Sequence, residues 1–153
     1  MNDMPSMGEL LGRHFAVIGA RARVAPVERA GAVALDVRSD GRGELFELRM
    51  PERASARVLD ADRADRHLLL LVAEGAEKSR FLCGHDERHW FVAAIPEAAR
   101  GVVDVPSAKR ALQPDAVRET ALRLRAKDRL RRRTRAFLRQ GEWFFVPAPS
   151  LCR

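Results

Sequence analysis

Cys83, His85 and His89 fall within seven residues of one another, in the stretch CGHDERHW. Zinc accepts thiolate and imidazole ligands. Asp86 and Glu87 lie between the two histidines, where a carboxylate can orient a ring. The spacing matches no common zinc signature, because those use two separated pairs and the second cysteine here is Cys152. The plain reading is a hairpin mouth with two facing histidines that collects metal incidentally. The same residues admit a weaker alternative, a small Cys/His-dependent or metal-dependent enzyme, with Cys83 as nucleophile and His85 or His89 as its base. No oxyanion site can be read beside them, and covalent catalysis needs one. His14 and His67 stand apart and read as structural. The glycines of GARARVAPVERAG have the wrong spacing for a phosphate loop.

The second constellation is electrostatic. Arg123, Arg125, Lys127, Arg129, Arg131, Arg132, Arg133, Arg135 and Arg139 face one acid, Asp128, over the same stretch. Guanidinium groups bind phosphate in bidentate fashion, and each neutralised phosphate releases counterions. Trp143, Phe144 and Phe145 follow and offer stacking faces. Nucleic acid is the preferred partner on these grounds, and an acidic protein in a larger assembly is the alternative. A third reading leaves the block as a solvated helix face paired with the acids of DADRAD at 60–65 and HDE at 85–87. No RNP, zinc-finger or helix-turn-helix pattern narrows the choice. An Arg- and Ala-rich composition also arises from genome composition alone.

The charge is unevenly distributed. Residues 1–100 carry 15 Lys and Arg against 16 Asp and Glu, a net of −1, and residues 101–153 carry 13 against 5, a net of +8. The total of +7 and the pI near 10.8 therefore belong to the C-terminal third, a pattern that points to a polyanionic partner. Two cysteines make no disulfide framework. The start, MNDMPSMGELL, lacks a basic region and a long apolar run, so it does not read as a signal peptide. Met4 and Met7 are alternative starts. The longest apolar run, LLLLVA at 68–73, is too short to cross a membrane. A cytoplasmic location with no membrane contact is the expectation.

These residues need a scaffold. Leu10, Leu11, Phe15 and Ile18 predict a helix over 7–18 that stops at Gly19. RARVAPV reads as a strand limited by Pro26. Val33, Leu35 and Val37, then Phe46, Leu48 and Met50, alternate on either side of SDGRG and predict a hairpin with a loop of about four or five residues. ARVLDA with RHLLLLVAEG, and SRFLCG with RHWFVAAIP, predict two further strand pairs. The run Leu68–Val72 is apolar on both faces and reads as a central strand covered on each side. After Pro96, Ser107 is expected to cap a short helix ending before Pro114, and a second helix to run from Pro114 to about 133–138 with Leu122, Ala126, Leu130 and Phe137 on one stripe. Gly141 either stops it or turns a hairpin into WFFV. FLCGHDERHWFVAAIP and FLRQGEWFFVPAP use similar chemistry and read as two hairpins, with no fixed period to mark a duplication.

The chain is accordingly expected to be a single α+β domain over 1–153, with flexible ends at 1–6 and 150–153. An antiparallel sheet of about five or six strands comes first, followed by two C-terminal helices and a terminal hairpin or strand. The expected function is a non-catalytic binding or adaptor domain whose basic helix contacts nucleic acid, with no cofactor unless the Cys83, His85 and His89 group takes zinc.

Overall fold

The computed structural model describes residues 3–29, 32–114, 117, 138–140 and 143–145. Helix α1, Met7–Ala16, begins at a capping box. Ser6 Oγ accepts from Glu9 N at 3.2 Å, and the Glu9 carboxylate accepts from Ser6 N at 2.8 Å, which satisfies two donors that the first turn would leave unpaired. Leu11 and Phe15 lie on one face and are buried, while Leu10 is not. The chain leaves the helix through Gly19 at φ 81°, a conformation that favours glycine.

Strands β1 (Ala22–Pro26), β2 (Ala34–Asp40) and β3 (Gly43–Met50) form a sheet in the order β1-β3-β2. β2 and β3 are the expected hairpin, but the ladder continues to Asp40 opposite Gly43, so only Gly41 and Arg42 form the loop. β1 pairs with the other side of β3 in parallel, Ala22 opposite Phe46 through Pro26 opposite Met50. Strands β4 (Ser55–Asp62), β5 (His67–Glu74), β6 (Glu77–Asp86) and β7 (His89–Ala94) form a second, fully antiparallel sheet in chain order.

This overturns the expected α+β class. Among the described residues the protein is mostly β, with seven strands in two main sheets and two short helices, one at the N-terminus and one mid-chain. One antiparallel sheet does not form because β3 already has both neighbours, β1 and β2, and Pro51 then turns the chain away from it. The predicted second C-terminal helix, with its end expected at about 133–138, lies largely outside the described residues, and of that end only Leu138 is described. Leu138–Gln140 is strand β8, paired antiparallel with β9 (Trp143–Phe145) in a separate two-stranded sheet. Of the two endings left open by Gly141, the structure takes the hairpin.

The sheets face each other across one core. β2 lies against β7, and α1 touches both β1 and β4, so strands and helix together enclose it. Phe15, Phe46, Leu48, Leu68, Leu70, Val72 and Cys83 are buried in it. The Phe46 ring packs against Phe15 at 4.9 Å and against Trp90 at 5.5 Å. Each such large side chain contributes roughly 1.5–3 kcal/mol by leaving water.

The other face of the second sheet carries a smaller core of Leu69, Leu82, Ile95, Val102, Val105 and Ala108. Helix α2, Val105–Leu112, covers it. β5 is therefore buried on both sides, as its sequence predicts. The N-cap of α2 is Asp104 and not Ser107. Ser107 completes the capping box three residues later, its Oγ accepting from Asp104 N at 3.0 Å while Asp104 Oδ1 accepts from Ser107 N at 2.8 Å. Among the described residues, no helix is long and apolar enough to cross a membrane.

Candidate functional site

The structure does not bring Cys83, His85 and His89 together as ligands. Cys83 is fully buried in the core between the sheets, and its thiol is pushed up by that burial. A thiol held protonated is neither a ligand nor a nucleophile at neutral pH. His85 sits on the same face of β6, its ring edge-on to Trp90 at 4.8 Å. His89 is exposed at the hairpin mouth, with Nδ1 at 3.4 Å from Glu44 Oε1. Among the described residues, no three His, Cys, Asp or Glu side chains cluster as a metal site.

A histidine that the sequence left isolated lies at the centre of a polar cluster. A β-bulge at Leu59 shifts the β4–β5 register between Val58 and Asp60. Without it, alternation would turn Asp60 into the main core. With it, Leu59 packs in the smaller core and Asp60 Oδ2 accepts from Val105 N at 2.8 Å, at the start of α2. In the following turn, Asp62 Oδ1 accepts from Asp65 N at 3.0 Å. Asp65 then holds two partners. Its Oδ2 accepts from Lys109 Nζ, on the inward face of α2, and lies 3.1 Å from His67 Nδ1, which is also 2.6 Å from the Asp65 carbonyl.

Burial pushes the Asp65 carboxyl up, but hydrogen bonds from His67 and Lys109, with their charges, outweigh it and hold the carboxyl well below the usual carboxylate range. His67 is fully buried, edge-on to Phe91 at 5.7 Å. Gly84 lies directly opposite it on β6. His67 and Gly84 share one face of the sheet, and Leu68 and Cys83 share the other. Cys83 and His67 are therefore on opposite faces and make no nucleophile–base pair. The cluster ties α2 to the β4–β5 turn.

The adjoining residue, Arg66, points the other way. It adopts φ 56° and places its guanidinium 4.6 Å from the centre of the Trp90 ring, donating to the Ile18 carbonyl at 3.1 Å. These contacts fix the turn against β7 of its own sheet and the segment that follows α1.

The electrostatics of the β-sheets bear on the basic residues. On the outer face of the first sheet, Arg23 pairs with Glu47 at 2.7 Å and Arg49 with Asp36 at 2.6 Å. At the edge, Arg21 makes a bidentate contact with Asp40, at 3.0 and 2.8 Å. That contact holds the Asp40 carboxyl at about 2, with the Arg21 hydrogen bonds as the main cause. Arg53 pairs with Glu74 at 2.8 Å. Exposed pairs of this kind add little stability, but they leave this part of the surface near neutral.

Arg123, Arg125, Lys127, Arg129, Arg131, Arg132, Arg133 and Arg135 lie outside the described residues. Arg139 lies in β8, opposite Phe144, just past the expected end of that helix.

The chain matches no protein family model, no curated protein and no solved structure.

Proposed function

We propose that the protein is a non-catalytic binding module that contacts nucleic acid through its arginine-rich C-terminal third. One observation carries the reading. The acids of DADRAD, one of the two acidic stretches that could neutralise that third, are already engaged inside the β-module. Asp60 holds the first turn of α2, Asp62 holds the turn before β5, and Asp65 holds Lys109 and His67. The arginine pairs on the first sheet engage Asp36, Asp40 and Glu47 in the same way. Lys109 apart, the excess positive charge of residues 101–153 is left for a polyanion from outside the module.

The test is fluorescence anisotropy with a short labelled DNA duplex and a short labelled single-stranded RNA over a salt series. Binding with a steep salt dependence is the expected result. Replacing Arg131, Arg132, Arg133 and Arg135 with Gln lowers the slope by about 0.9 for each lost contact to the duplex. No binding of either probe at low salt overturns the reading. A partner captured from extract that survives nuclease treatment favours the second reading, an acidic protein.

A further inference from the structure

We infer that the phosphate-binding surface does not end with the C-terminal arginines but continues onto the β-module, in the groove between the 96–101 segment and the outer side of α2. This rests on the nucleic-acid reading above. Arg100 and Arg110 line the groove from its two walls, and Pro96, Ala98, Gly101 and Ala111 form much of the rest. No acid lines it. Both arginines are exposed, and among the described residues neither enters an ion pair of the kind that occupies Arg21, Arg23, Arg49 and Arg53. Asp104, whose charge reaches Arg110, accepts from the Ser107 amide as the helix cap and forms no ion pair with that arginine.

The small residues matter as much as the cations. Alanine and glycine keep the groove floor low, so a phosphodiester chain can approach both guanidinium groups. Gly101 takes φ 69° where the segment turns, so a side chain there would be strained. A neighbouring groove shows the contrast. It lies on the far side of the same segment and is lined by Arg57, Lys78 and Arg80, the last already donating to the Ala99 and Val102 carbonyls, but also by Glu77 and Glu97. Its charge is mixed, and it suits a phosphate chain poorly.

Position joins the groove to the rest of the surface. Arg110 sits in the last turn of α2, four residues before Pro114, where the chain enters its most basic stretch. The cluster of Asp65, His67 and Lys109 clamps the inward side of this helix and so sets which side Arg110 presents. Lys109 is spent on the clamp, and Arg110, the next residue, is left for the ligand.

The experiment uses the full chain and the same labelled duplex. Arg100→Gln/Arg110→Gln is expected to lower the salt slope by about 1.8, at about 0.9 for each contact, with the C-terminal arginines intact. Arg100→Lys/Arg110→Lys keeps most of the slope, because a phosphate contact needs the charge. Arg57→Gln/Lys78→Gln removes the same charge from the neighbouring groove and leaves the slope near that of the parent. An unchanged slope in the Arg100/Arg110 variant overturns this inference while leaving the C-terminal reading standing. An equal drop in the Arg57/Lys78 variant also overturns it, since the effect would then be one of net charge. A parent protein that binds no duplex at low salt removes both readings together. Circular dichroism of each variant confirms that the fold is retained.

Discussion

Gly84 and His67 face each other so closely that a Cβ on Gly84 would stand 2.5 Å from His67 Cδ2 and 2.7 Å from His67 Nε2. Phe91 closes the third side at 2.9 Å from the same point. The His67 ring has nowhere to retreat, because it is fully buried and bonded to Asp65. Gly84→Ala is expected to cost about 1–3 kcal/mol, the range for overpacking a filled site. Urea denaturation measures it. In a double-mutant cycle, His67→Ala should relieve much of the penalty, because the clash is with that ring. Equal costs with and without His67 would refute the pairing.

Lys109 and Asp65 provide a second test. Lys109→Met keeps the stem of the side chain and removes the charge. The expected loss is about 1–3 kcal/mol, below the ~3–5 of a fully buried pair, because the Asp65 carboxylate keeps contact with water. The pH dependence follows from the depressed Asp65 value. A carboxyl held below its unfolded value of about 3.9 stabilises the fold above that pH and loses the contribution as pH falls further. Thermal melts below pH ~4 should therefore decline more steeply in the parent than in Lys109→Met. Asp40, at about 2, titrates in the same interval in both proteins, so the difference isolates Asp65.

Cys83 is expected to resist alkylation in the native protein. Its thiol is buried and its ionisation is disfavoured, so reaction must wait for opening of the core. The measurement uses a Cys152→Ser background and follows iodoacetamide labelling by mass. Labelling that tracks global unfolding is the expected outcome. Rapid labelling in native buffer would contradict the burial. In parallel, purified protein should carry zinc far below one atom per chain, with or without His89→Ala.

The terminal hairpin gives a fourth test. β8 and β9 share only three residue pairs, and a lone two-stranded ladder that short is marginal in water. Its aromatic sequence, WFF, is costly to leave in water. Truncation after Gln140 is expected to lower the melting temperature by several degrees or more. Trp143 fluorescence in a Trp90→Phe background distinguishes cover from exposure. A blue-shifted, poorly quenched signal agrees with a covered strand, and ready quenching by acrylamide opposes it.

Much of the β-structure was legible in the sequence because the apolar alternation is local. Val33 to Met50 marks its own hairpin, and Leu68 to Val72 marks a strand with two covered faces. The parallel pairing of β1 was not legible, because nothing in RARVAPV states the direction of its partner. That is decided by packing on β3, whose other side is filled by β2. The polar cluster was half visible. Asp65, in the turn, and His67, which opens β5, are two apart, a legible spacing, but Lys109 lies 44 residues away and reads as one more surface cation. Asp60 was unreadable in its role, because a bulge redirects it and bulges leave little trace in composition. Asp104 and Ser107 are a capping pair legible in the sequence, with Asp104 and not Ser107 as the cap.

The β1-β3-β2 order has a consequence for how the chain reaches its fold. The second sheet is a meander, and each strand finds its partner next door. β1 instead pairs with residues 24 positions ahead, and its partner strand first has to meet β2. Closing the longer loop before contacts repay it is slow. During synthesis β1 emerges early and waits, unpaired, until Met50 has followed. The last event should therefore be the docking of β1 together with α1, which packs on it. In refolding followed by pulsed hydrogen exchange, the amides along β1 that face β3, those of Arg23, Ala25 and the adjoining Val27, should gain protection after those of β4 to β7. The same edge should be the first to open when the native protein is stressed.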